Sequence, residues 1–144
     1  MASARNFFSE EEKLLLLNAI EKAELNTSGE IRVHVENYCL GNPLHAARRI
    51  FKKLGMYRTD ERNGVLFYIA VKSRKIAVWG DEGIHQKLGE GYWNEIMTAL
   101  VKDFKADNKA ASLADAIQKC GKALSTYFPR STNDKNELSN DLSF

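Results

Sequence analysis

The chain has 144 residues, a length that suggests one domain. A domain of that size buries roughly 70% of the surface its unfolded chain exposes, so a core forms without disulfide or metal staples. A hydrophobic content of 44%, a charged content of 28% and a net charge of +2 are those of an ordinary water-soluble globule; they give no footing for nucleic-acid binding, and no apolar run nears the roughly 20 residues of a membrane span.

Taken in order, the chain opens on Met1 to Phe8, which has no apolar segment of the kind a secretory signal needs. Ser9-Glu10-Glu11-Glu12 then spells a capping box, with Ser9 as N-cap and Glu12 three residues on. The glutamates also suit the positive end of the helix dipole. Two apolar stripes fit this first helix, Leu14, Leu17 and Ile20, or Leu16, Ile20 and Ala23. Asn26-Thr27-Ser28-Gly29 ends it with turn chemistry. Residues 30–36 follow as a strand, alternating Ile31, Val33 and Val35 with a more polar face that carries His34. Asn42-Pro43 starts a second helix, Asn as N-cap and Pro at the first helical position, and Gly55 suits its end.

The segment from Asn63 to Glu82 organises the rest. Val65 to Val71 is apolar at every position but Tyr68, as a strand buried on both faces would be. Lys72-Ser73-Arg74-Lys75 reads as a tight basic turn, and residues 75–79 as the returning strand of a hairpin. A strand–helix–strand unit makes the strands at 30–36 and 65–71 parallel, so the sheet is short and mixed. Three turns then share one rim: Thr27 to Glu30, Arg58 to Gly64, and Gly80 to Gly83. Beyond it, Ile84 to Leu88 makes a helical turn, Gly89-Glu90-Gly91 interrupts, and helices follow over 92–105 and 110–128, about four main helices in all. Pro129 closes the last, leaving 1–129 as the domain and 130–144 as a polar tail, with Leu138, Leu142 and Phe144 able to dock part of it.

That rim carries Glu30, Asp60, Glu61, Asp81 and Glu82. A hard divalent cation takes six to eight oxygens from carboxylates, carbonyls and water, and carbonyls at Asn63 and Gly80 add neutral oxygens. The expected site uses Asp60, Glu61, Asp81 and Glu82, with Glu30 peripheral, and holds Ca²⁺ or else Mg²⁺ or Mn²⁺. The competing account makes these acids solvated, pairing with Arg58 and Arg62, with Asp81 a helix N-cap. The three histidines do not cluster; His85 alone lies near the acids. Cys39 and Cys120 are far apart in sequence and read as free thiols of a reducing compartment.

The segments Thr27-Ser28-Gly29-Glu30-Ile31-Arg32-Val33, Arg62-Asn63-Gly64-Val65-Leu66 and Ala77-Val78-Trp79-Gly80-Asp81-Glu82-Gly83-Ile84, in that order, resemble the TPM-domain family over about Ser9 to Phe128. The resemblance implies a three-layer α/β/α sandwich, divalent-ion binding at acidic loops, and for some members acid phosphatase activity. Most members carry a signal peptide and a membrane helix; this sequence presents neither, and a cytoplasmic, stand-alone domain is the expectation. Three functions compete: a cation-dependent binding or assembly module, a metal-assisted phosphatase using the backbone N–H groups of Thr27-Ser28-Gly29 for phosphate, and an ion-free domain that engages an unidentified protein through its tail. Neither nucleic acid nor membrane is expected as a partner.

Overall fold

The computed structural model describes residues 3–105, 108–130 and 142–143. Helix α1 spans Glu10–Glu24, strand β1 Glu30–Glu36, helix α2 Pro43–Lys53, strand β2 Gly64–Ala70, strand β3 Lys75–Gly80, helix α3 Glu82–Lys105, helix α4 Lys109–Tyr127 and a short strand β4 Leu142–Ser143. A single 3-10 turn, Met56–Arg58, lies between α2 and β2.

Local chemistry starts and stops these elements as expected. Ser9 accepts from the Glu12 N–H at 3.1 Å while the Glu12 carboxylate accepts from the Ser9 N–H at 2.9 Å, a closed capping box. Asn42 Oδ1 accepts from the Leu44 N–H at 2.8 Å, and Pro43 opens α2. Gly55 takes a left-handed φ of 73° just past α2, where a side chain would be strained. The expected break after Leu88 is a kink: Gly89, at φ 77°, separates two helical segments within α3.

The sheet order is β3-β2-β1-β4, with β1 parallel to β2, β2 antiparallel to β3 and β4 parallel to β1. It is the short mixed sheet the hairpin implies, with β4 added at the far edge, Leu142 beside Val33. The tail's expected docking through Leu138 and Phe144 falls outside the described residues. Every residue of β2 is buried, which fits a strand inside the sheet and sheathed on both faces.

One face of the sheet, lined by Ile31, Val33, Val35, Val65, Phe67 and Val78, packs against α1, α3 and α4. The opposite face, lined by Leu66, Tyr68, Ala70 and Ala77, packs against α2 through Ala47, Ile50 and Phe51. These are the three layers of an α/β/α sandwich. Of the two stripes open to α1, the second is buried: Leu16, Ile20 and Ala23 face the core, whereas Leu14 stays exposed. His34 is a second departure. Its face of β1 is not solvated; the ring is buried, stacks on Tyr68 and meets Glu36 at 3.2 Å. Burial pulls its pKa down from the ordinary value, with Glu36 opposing. Cys39 and Cys120 are both buried and unpaired, and lie in the two different cores.

Candidate functional site

The three turns expected at one rim do meet there. Ser28, in the first, donates its Oγ–H to Glu61 Oε1 at 3.1 Å and accepts from Asn63 Nδ2 at 3.1 Å, both in the second. The second and third are held by backbone: Gly83 N–H donates to the Arg62 carbonyl at 2.8 Å and Asp81 N–H to the Gly64 carbonyl at 2.9 Å. A Cβ on Gly83 would stand 2.1 Å from the Glu61 carbonyl oxygen, so only glycine lets these two turns approach this closely. Arg62 pays a conformational cost for its position, with a left-handed φ of 52°.

The carboxylates are employed differently within this rim. Asp81 is buried, and both its oxygens face the guanidinium of Arg62: Nε donates to Oδ2 at 2.6 Å and Nη2 to Oδ1 at 2.9 Å. Its Oδ1 also accepts from the Glu82 N–H at 2.8 Å, while its carbonyl accepts from His85 N–H, the first bond of α3. Asp81 is therefore both the partner of Arg62, as the competing account of the acids has it, and part of the start of α3, although it is buried and not solvated. Glu82 is exposed and stands 3.4 Å from Arg62 Nη1. Glu61 and Asp60 are exposed, Glu61 holding Ser28.

Glu30 pairs with Gly64 at the start of β1. It is buried, and its carboxyl meets that of Glu24, the last residue of α1. Glu24 accepts from the Ile31 N–H at 2.7 Å. Burial pushes the Glu24 pKa up to about 8, the Ile31 N–H opposing this and the neighbouring Glu30 adding to it. Sequence reading missed Glu24 because it looks like one more acid on an exposed helix end; only the turn at Thr27, which returns β1 beneath α1, buries it.

Asn63 was expected to offer its backbone carbonyl; the part its side chain plays was not visible. It is 1% exposed, and its Oδ1 has no hydrogen-bond partner although Nδ2 is bonded to Ser28. A buried amide oxygen left unpaired is costly, and such an acceptor calls for a hydrogen-bond donor, a water or a cation. Among the described residues no three Asp, Glu, His or Cys side chains stand close enough to share an ion as they are arranged here. A cation at this rim thus needs neutral oxygens such as Asn63 Oδ1, and needs Arg62 to yield Asp81.

The amides suggested for phosphate are used inside the chain: Ser28 N–H donates to the Phe128 carbonyl at 3.0 Å and Gly29 N–H to Thr27 Oγ1 at 3.0 Å. His85, exposed in the first turn of α3, accepts from Trp93 Nε1 at 3.1 Å through Nδ1, which leaves Nε2 as the nitrogen that faces outward. Among the described residues no helix is long and apolar enough to cross a membrane.

Comparison with known proteins agrees with this architecture. The NMR structure of the BA42 protein from the psychrophilic bacterium Bizionia argentinensis is 38% identical to this chain, covers 99% of each and superposes with a TM-score of 0.88. The N-terminal domain of a P. gingivalis protein (16% identity, 84% of this chain and 78% of that one, TM-score 0.66) and that of cg2496 from Corynebacterium glutamicum (11% identity, 96% and 82%, TM-score 0.64) share the fold. No curated protein matches the sequence. The TPM domain model matches residues 2–123, nearly the whole of the helices and sheet that build the acidic rim, and the chain belongs to the TPM-domain family.

Proposed function

We propose that this TPM domain is a divalent-cation-binding module whose ion ties the three rim turns together. The observation that carries the reading is the orphaned Asn63 Oδ1, buried at the node where Ser28 and Glu61 meet. A hard cation accepts a mixture of carboxylate and neutral amide oxygens. Glu61 and Asn63 Oδ1 supply one of each, and Asp60 and Glu82 lie in the same turns. Asp81 joins when the ion takes the position of the Arg62 guanidinium, which meanwhile offsets the charge of the buried carboxylate. Glu30, expected at the periphery of the site, is left out of the ligand set because it faces Glu24. Ca²⁺ fits this set better than Mg²⁺, since its coordination is looser and larger, whereas Mg²⁺ demands near-octahedral geometry from few protein ligands. Bound in this way, an ion would stiffen the rim as a surface for assembly.

The test is an NMR titration of the metal-free protein with Ca²⁺, Mg²⁺ and Mn²⁺. Shifts or broadening confined to residues 28, 59–64 and 80–85 are expected, strongest with Ca²⁺. Glu61→Gln should weaken the response. Arg62→Gln, which removes the internal competitor, should strengthen it. A silent spectrum at millimolar ion, or an Arg62→Gln protein that binds more weakly than the parent, overturns the reading.

A further inference from the structure

Strand β3 is the last strand of the sheet on its side; among the described residues none pairs with its outer edge. The register fixes what that edge presents. Asp81 N–H donates to the Gly64 carbonyl at 2.9 Å, so that pair is a hydrogen-bonded one. In an antiparallel ladder such pairs alternate with pairs whose N–H and C=O groups point away from the partner. Gly80, Val78 and Ile76 therefore direct their backbone groups outward from β2. An open row of this kind is a template for another strand.

The edge is recessed. It forms the floor of a groove of about 880 Å³, with α2 along one bank and α3 along the other. On the α2 bank stand Leu44, Arg48 and Lys52, the Arg48 guanidinium 5.8 Å from the centre of the Trp79 ring. On the α3 bank stand Trp93 and Met97, together with Glu82, His85, Glu90 and Asn94. The α2 bank thus carries positive charge, while the α3 bank offers two large apolar side chains and two carboxylates, and among the described residues no strand pairs with the backbone between them.

We propose that this groove binds an extended peptide segment of a partner protein, which adds a strand to β3 with acidic side chains toward Arg48 and Lys52 and apolar side chains toward Trp93 and Met97. Side chains alternate across a strand, so one added segment presents one kind to each bank. Main-chain bonds to Ile76, Val78 and Gly80 supply the affinity, and the banks supply the choice of sequence. The recess selects a single segment over a second copy of this chain. A folded sheet edge arrives with its own flanking helices, and α2 and α3 already occupy that space. β3 runs Lys75–Gly80, about 20 Å of strand, and matches a segment of similar length.

The experiment uses the full chain in metal-free buffer with chelator, so that its outcome is independent of the proposed cation. The probe is a short capped peptide of alternating glutamate and valine, followed by amide NMR. Expected are saturable shifts at Ile76, Val78 and Gly80, slower hydrogen exchange at those three amides, and binding roughly tenfold or more tighter than for the lysine–valine counterpart. Reversing the bank with Arg48→Glu and Lys52→Glu, both at exposed positions of α2, should exchange the two preferences. A peptide N-methylated at alternate amides should not bind. Three results overturn the proposal: no change at these amides at millimolar peptide, equal binding of the N-methylated peptide, or concentration-dependent dimerisation of the protein alone that the peptide reverses, which would give the edge to a second copy.

Discussion

Glu24 is where a single side chain changes the behaviour of the whole chain with pH. Its carboxyl is buried, with a pKa raised from 4.5 to about 8, burial being the chief cause. An acid whose folded pKa is raised holds its proton in the native state after the unfolded chain has released it. Between about pH 4.5 and 8 the native state then binds more protons than the unfolded one, so stability falls as pH rises through that window and levels off above it. One proton contributes at most ~1.4 kcal/mol per pH unit. Glu24→Gln keeps an oxygen for the Ile31 N–H and has no proton to lose. Urea unfolding across the window should show the parent losing stability more steeply than the variant, and superimposable slopes would remove Glu24 as the cause. At the rim, buried Asp81 faces the Arg62 guanidinium instead, a pairing the sequence offered, whereas nothing in the sequence pointed to the meeting of Glu24 and Glu30.

At the scale of elements, contacts between helices are set by what is missing from them. A Cβ on Gly121 of α4 would stand 2.6 Å from Ala23 Cβ and 2.9 Å from the Ala23 carbonyl oxygen of α1. Alanine at an exposed helical glycine gains about 1 kcal/mol of propensity. Here the added methyl meets backbone that cannot swing aside, and overpacking of that kind costs about 1–3 kcal/mol. Gly121→Ala should therefore lower stability, by up to about 2 kcal/mol. Gly91→Ala, whose Cβ meets nothing within 4 Å, should raise it by a few tenths to ~1 kcal/mol. Denaturant unfolding of the pair checks both, and a stabilised Gly121→Ala would mean that α1 and α4 do not approach so closely. The elements themselves were legible because their signals are short in range: Ser9 with Glu12, Asn42 with Pro43, and the basic turn between β2 and β3. The choice of buried stripe on α1 was not, since four consecutive leucines, Leu14 to Leu17, satisfy two faces equally and only the contact with α4 and the sheet selects Leu16. The convergence of the three rim turns was also legible, because a hairpin and a parallel crossover fix it without any knowledge of side chains. What each carboxylate does there was not, because Arg62, Asn63 and Glu24 acquire their partners from turns that are distant in sequence.

For the molecule as a whole, the sheet divides two unequal layers. Three helices and the residues around Phe8 cover the face that carries Val33 and Phe67, while among the described residues α2 is the one long helix on the face that carries Leu66 and Tyr68, with Met56 and Cys39 beside it. Elements with fewer buried apolar contacts open at lower free energy than the global transition. α2 is an eleven-residue helix, too short to persist in water by itself, so it holds its shape only while docked. We therefore expect native-state hydrogen exchange to reveal an opening of α2 that leaves β2, α1 and α4 protected. Phe51 is the test of that docking. It is 2% exposed and belongs to the core beneath α2, and its ring would lie 3.3 Å from a Cβ on Gly64 at the start of β2. Phe51→Ala removes about 3–5 kcal/mol of packing from the layer, more than enough to detach it if the layer is an independent unit. The α2 amides should then exchange much faster at low denaturant, with smaller changes in α4. Equal acceleration across α2 and α4 would show that the thin layer and the thick one open together. That outcome would make the molecule a single cooperative unit despite its asymmetry, and would tie the cationic bank at Arg48 and Lys52 as firmly to the sheet as α4 on the opposite face.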